Sequence, residues 1–330
     1  MKKLIYFCIF CFFFICSCAV KNKASSISKN NPLLNKIINT YTNKTESFDS
    51  LINNIVAYDV IYLSEKHDNP EHHKIQKQII KALIKKGLKP VVGFEFFSFE
   101  DTFDLLNFID AGKVKHPKKI QKMIETDLRK KLRWENQTDK MWKYYYDILT
   151  LLQKNNLMAA GIDLDTSFKK RILRKGIEGI SLMEREQIFS THWYDKAYKD
   201  YMLSIFKAVH CGIGNEKMQL RMYEVWKTRN DKMALSITYL NKYSKKNPVV
   251  IIVGAGHTNN ELGVIKSVNV INKSIKQVNI SFKEINTKPA KLEQYTKPLE
   301  LEGYKKVPVS DYLWFTQRVT HENPCDKFKK

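Results

Sequence analysis

Pro248-Val-Val-Ile-Ile-Val-Gly254 restricts the fold more than any other segment: an unbroken apolar, β-branched run closed by glycine. Successive side chains of a strand point to opposite faces, so a run without polar interruption must be covered on both. Parallel sheets with helices on either side meet that condition. The pattern recurs at Val60–Leu63, at Pro90-Val-Val-Gly-Phe-Glu-Phe-Phe97 and at Leu157–Asp163. Weaker runs, Val268–Ile271 and Val278–Ile285, predict edge strands, and Asp311–Gln317 predicts a short strand or an aromatic plug. Long helical segments separate these runs. The fold class is therefore α/β, a mainly parallel sheet with flanking helices plus an inserted all-α helical subdomain.

The helical material exceeds what crossovers need. Lys118–Lys131 and Asp139–Lys154 precede the third strong strand, and Leu182–Cys211 and Glu216–Tyr243 follow it. These insertions, at about 100–155 and 166–245 within a domain spanning 45–330, are expected to pack as a lid over the sheet edge. His210-Cys-Gly-Ile-Gly-Asn215 breaks the last two helices into an antiparallel pair. Lys288–Lys306 reads as a connector.

Each strong strand stops at polar, site-like residues. Val60–Leu63 runs into Ser64-Glu65-Lys66-His67-Asp68, and Asn69-Pro70 then supplies the cap and first-turn proline of a helix reaching about Lys86. The second strand carries Glu95, the third ends in Asp163 and Asp165, and the fourth in Gly254-Ala-Gly-His257. Ligands of open α/β sheets bind beyond the carboxyl ends of strands. Glu65, His67, Glu95 and His257 are thus expected to converge, as a shell for a divalent metal or for acid–base work, or as a buried hydrogen-bonded network. On the first helix His72 shares the face of Ile75 and Ile79 and points to the sheet, whereas His73, about 100° away, is expected in solvent.

At the N-terminus Met1-Lys2-Lys3 precedes an uninterrupted apolar run, Leu4–Cys16, too short to span a bilayer. Ile15-Cys16-Ser17-Cys18 has the form of a lipoprotein cleavage box. Residues 1–17 are read as a signal peptide, Cys18 as the lipidated residue and 18–44 as anchor and flexible tether, with Ala19 pointing to the outer membrane of a cell envelope. Beyond Cys18 only Cys211 and Cys325 remain, and an oxidising compartment permits a disulfide without demanding one. The formal net charge is +22. The lysines are spread along the chain with no basic stripe interleaved with aromatics, so no nucleic-acid partner is expected; the charge favours carboxylate-bearing ligands.

The second pair of long helices carries Trp193, Tyr194, Tyr198, Tyr201, Met202, Phe206, His210, Met218, Met222, Tyr223 and Trp226. Such stripes are usually core, yet they are also what the wall of a flat apolar ligand requires.

Ser64-Glu-Lys-His-Asp with His72-His73, Gly93-Phe-Glu-Phe-Phe97, Arg229-Asn-Asp-Lys-Met-Ala234 and Gly254-Ala-Gly-His257 with Gly263-Val264 resemble elements of the ChaN family of haem-binding lipoproteins. The resemblance covers about residues 45–265 and the aromatic tail. It implies an α/β core with a helical subdomain, binding of haem for iron uptake, and pairing of two protomers around haem with tyrosine ligation. Tyr198, Tyr201, His210 and Tyr223 are the candidate ligands. The same superfamily contains TIKI-like, metal-dependent peptidases, and Ser64 stands where their first motif has glycine. The alternative implied is a metal-dependent hydrolase using Glu65, His67, Glu95 and His257.

Overall fold

The computed structural model describes residues 31–244, 247–286, 291–319 and 325, except the side chains of Glu186 and Gln187. The expected signal peptide, Cys18 and the first part of the tether lie outside the described residues. The strands are β1 (Ile37–Asn39), β2 (Lys44–Glu46), β3 (Val60–Glu65), β4 (Val91–Ser98), β5 (Ala159–Asp163), β6 (Val249–Gly254), β7 (Gln277–Glu284) and β8 (Tyr312–Thr316). They form one sheet in the order β2-β1-β8-β7-β3-β6-β4-β5. Every pairing from β8 to β5 is parallel, and only β1 runs antiparallel to its neighbours β8 and β2. The α/β class and the mainly parallel sheet are those expected from the sequence.

The helices are α1 (Phe48–Ile55), α2 (Pro70–Lys85), α3 (Thr102–Ala111), α4 (Lys118–Lys131), α5 (Asp139–Lys154) and α6 (Thr166–Lys175). After them come α7 (Leu182–Gln187), α8 (Lys196–Val209), α9 (Glu216–Tyr243), α10 (Val264–Ile271) and α11 (Leu292–Thr296). Alternation along β3 divides the core. Ile61 and Leu63 join Ile75, Ile79 and Leu83 of α2 and Tyr145, Ile148 and Leu152 of α5 on one face. Val60 and Tyr62 join Met233 and Ile237 of α9 and Val264 and Val268 of α10 on the other. Truncating a fully buried side chain such as Ile79 would cost about 2–5 kcal/mol by lost burial and the cavity left behind.

Three expectations change. Val268–Ile271 is not a strand but the end of α10: Val264, Ile265 and Val268 fall on one buried helical face, a spacing that outweighs the β-branched composition. Leu182–Cys211 is not one helix, because Ile188 leaves helical backbone (φ −82°, ψ 106°) and α8 begins only after its cap, Asp195. The first insertion does not join a lid either, since α5 packs in the main core against the sheet. What rises beyond the sheet is α8 with the first half of α9, held by Tyr198, Met202, Phe206, Tyr223 and Leu262. Cys211, at the turn between those helices, is bonded to Cys325.

Candidate functional site

The register of the sheet sets the polar strand ends side by side. Glu65, the last residue of β3, lies opposite Gly254 of β6, and Ser98 of β4 opposite Asp163 of β5 after a bulge that follows Phe94. Asn69 caps α2 by accepting the Glu71 N–H at 2.9 Å, and Pro70 fixes the first turn. The loop between them therefore holds His67 directly over the sheet edge.

Four groups surround the fully buried Glu65 carboxylate. His67 Nδ1–H donates to Oε1 at 3.0 Å, and the Tyr145 hydroxyl donates to the same oxygen. Gln76 Nε2–H donates to Oε2, with His73 Nδ1 3.3 Å from it. Burial pushes this carboxyl up, but His73, His67 and Tyr145 outweigh it and hold it below the ordinary carboxylate range. His73 is not in solvent as expected. It is buried, stacked on Tyr144 at 4.6 Å, and donates from Nε2 to the His67 carbonyl at 2.9 Å. The carbonyl left open in the first turn of the loop supplies the partner that a helical wheel does not show. His72 faces the sheet, accepting the Lys66 N–H on Nδ1 and donating from Nε2 to Thr316, both at 2.9 Å. Burial drives its pKa down to about 3.

The second carboxylate, Glu95, is bound by Arg229. One guanidinium nitrogen donates to Glu95 Oε1 at 2.6 Å and lies 2.9 Å from Asp163 Oδ2, while Nε–H reaches Asp163 at 3.0 Å. Glu95 Oε2 accepts the Gly254 N–H, and His257 Nε2 lies 3.3 Å from Oε1. Burial opposes ionisation of Glu95, yet His257 and Arg229 keep it well below the carboxylate range. His257 is held low by burial, whereas His67, 39% exposed, is raised because hydrogen bonding to Glu65 and the charge of Glu95 overcome its own burial. Gly254 is what permits the approach: a Cβ there would lie 2.8 Å from His67 and 3.3 Å from Glu95. Glu65, His67, Glu95 and His257 do share one edge.

That donor set does not fit a divalent cation. The Arg229 guanidinium already takes the charge of Glu95 and Asp163, and Glu65 is spent on Tyr145, Gln76 and the histidines. Among the described residues no group of three or more His, Cys, Asp or Glu side chains is placed to hold a metal. The metal expected at the sheet edge is therefore withdrawn. Arg229, Tyr145 and Gln76 were not among the candidate residues. A signal for the first was present: Arg229-Asn-Asp231 interrupts the buried face of α9 with polar residues that a solvent-facing helix would not need.

His257 links this edge to the helical pair. Its Nδ1 pairs with the Asn230 side-chain amide at 2.7 Å, and its ring stacks on Trp226 at 4.0 Å. Trp226 Nε1–H donates to the Tyr198 hydroxyl at 3.0 Å. Trp226 also lines an apolar groove of about 240 Å3, together with Tyr198, Tyr201, Ile205, Phe206, Val209 and Leu262 among others. Of the four tyrosine and histidine candidates, Tyr198 and Tyr201 line it. Tyr223 is buried beside them with no hydrogen-bond partner for its hydroxyl among the described residues. His210 caps the exposed end of α8, donating from Nδ1 to the Phe206 carbonyl at 2.9 Å, and is not part of the groove lining.

The profile of the family described as "Haem-binding uptake, Tiki superfamily, ChaN" matches residues 51–268. No curated protein matches. Among solved structures the chain is similar to Campylobacter jejuni ChaN, described with cofacial haem binding, at 20% identity and a TM-score of 0.61 over 84% of this chain and 95% of that one. The type III effector HopBA1 aligns at 14% identity and a TM-score of 0.45, over 82% of this chain and 92% of that one. An erythromycin esterase mutant in its open conformation aligns at 9% identity and a TM-score of 0.43, over 76% of each chain.

Proposed function

The chain belongs to the ChaN family of haem-binding uptake proteins within the Tiki superfamily, and from that premise we propose that it binds haem on the groove between α8 and α9. The observation that carries this reading is the groove itself: a wall of Tyr201, Ile205, Phe206, Val209 and Trp226, in which Ile205 is 37% and Val209 60% exposed. Exposed apolar area of this kind gains about 25 cal/mol per Å2 when a flat apolar ligand covers it. At about 240 Å3 the groove lies below the roughly 300–1,000 Å3 of pockets that enclose an organic ligand, so it takes one face or edge of a porphyrin. The remainder is left for a second copy, which supports a homodimer formed around haem. Tyr198 and Tyr201 bring the groove's phenol oxygens for iron, and the net charge of +22 favours the propionates. Lipidation at Cys18, attachment to the envelope membrane, outer rather than inner, and a part in iron uptake complete the proposal.

Haemin titrated into the purified protein is expected to give a saturable Soret shift that weakens in Tyr201→Phe or Tyr198→Phe. A spectrum identical to haemin mixed with an unrelated basic protein would refute the reading.

A further inference from the structure

The segment from Ala111 to Ile124 has no part in the groove or the sheet edge. Between Asp110 and Glu125 it contains Lys113, Lys115, His116, Lys118, Lys119 and Lys122 and no acidic residue. The same stretch leaves apolar side chains in water: Val114 is 62%, Ile120 37% and Met123 58% exposed. It comprises the turn after α3 and the first half of α4, a helix with Leu128 as its one fully buried residue. Ile124 and Leu128 face the main core. At about 100° per residue, Ile120, Met123 and Lys119 then occupy an adjoining sector of the helix that leads away from that core.

Nothing among the described residues accounts for this arrangement. Lysines at the start of a helix oppose its dipole, and α4 begins without an acidic residue in its first turn and without a side-chain cap. Lys113 makes an exposed pair with Asp110, of a kind that contributes little, and Lys122 pairs with the half-buried Glu125. Lys115, Lys118 and Lys119 have no ion-pair partner among the described residues. Exposed apolar side chains interleaved with lysines match a surface that is anionic outside and apolar just beneath, the interfacial layer of a bilayer containing acidic lipids. A nucleic acid offers the charge but no apolar layer for Val114, Ile120 and Met123.

We infer that residues 111–124 form a docking surface for an anionic lipid bilayer, with the lysines at the headgroups and Val114, Ile120 and Met123 inserted between them. This contact is independent of the haem reading and of any N-terminal anchor.

Local hydrogen exchange on the full chain tests it, because the readout is confined to the segment however the protein is otherwise held. Peptides covering 111–124 are expected to gain protection with phosphatidylcholine vesicles containing about a third phosphatidylglycerol, and none with phosphatidylcholine alone. Lys118→Glu with Lys119→Glu should reduce that protection at least about tenfold in lipid titrations, since each lysine near an anionic surface contributes roughly a factor of five. Ile120→Ser with Met123→Ser should abolish it while leaving the hydrogen exchange of the buried sheet strands unchanged, which shows that the fold survives. Equal protection by both vesicle types, or by neither, overturns the inference. So does equal protection by an anionic polymer such as heparin, which would show that charge alone is read.

Discussion

The indole of Trp226 lies flat on the imidazole of His257, with ring centroids 4.0 Å apart and planes inclined by 14°. One ring thus belongs to two environments. It lines the apolar groove and its N–H holds the Tyr198 hydroxyl, while one face closes over the histidine that touches Glu95. The polar sheet edge is thereby a support for the groove wall, rigid because His257 is itself fixed between Asn230 and Glu95.

Trp226→Leu keeps an apolar residue but removes the stack and the hydrogen bond to Tyr198. Haemin affinity is expected to fall roughly tenfold, which corresponds to about 1.4 kcal/mol. Trp226→Phe, which retains a stacking ring, should lose less. Soret titrations of the two variants measure the difference, and equal affinity in both and in the parent would exclude this coupling.

Arg229→Met leaves the buried Glu95 carboxylate without its guanidinium, while Asp163 keeps Lys169 at 2.8 Å. The loss of stability should be about 3–5 kcal/mol, the range for removing one member of a buried ion pair. The effect depends on pH with a definite sign. Glu95 is held below its unfolded value near 4.5, so its pairing stabilises the parent above that pH and is lost as pH falls through the lower folded value. Urea unfolding at several pH values should show the gap between parent and variant narrowing below about pH 4.5.

Asp311 carries the opposite sign. Burial raises it to about 6, even though Oδ2 accepts the Asn279 N–H at 2.7 Å. A carboxyl raised in the folded state costs stability as pH climbs from its unfolded value near 3.8 toward 6, and the cost is complete above that. Asp311→Asn removes this dependence and should gain up to about 2 kcal/mol at pH 7 relative to pH 4. Thermal unfolding of the two proteins across that interval reads it directly.

The Cys211–Cys325 bond joins the tip of the helical pair to the C-terminal tail across a sequence separation of 114 residues. Cys211→Ser, or reduction, is expected to cost about 2–5 kcal/mol by releasing the unfolded chain. A lower Tm of the variant, unaffected by reductant while the parent shifts, checks this. An unchanged Tm on reduction of the parent would remove the bond from the account.

What the sequence determined by itself was the set of elements and the edge at which they meet. Val249–Gly254, Val91–Ser98 and Val60–Glu65 declare themselves as covered strands because an unbroken apolar run has no other stable use in this α/β context. Asn69-Pro70 marks where α2 starts, through capping chemistry confined to neighbouring residues. Val268–Ile271 does not declare itself, for the converse reason: a short apolar run has no period long enough to separate strand from helix, and contact with α9 settles it as helix. Tertiary structure alone decided the partners of the polar groups. Tyr145 reaches Glu65 from 80 residues away and Arg229 reaches Glu95 from 134, along helices whose packing no local pattern encodes. Periodicity reports which side of an element is apolar; which charge waits on the other side depends on how two elements pack, and that turned an expected metal shell into a guanidinium-bound network.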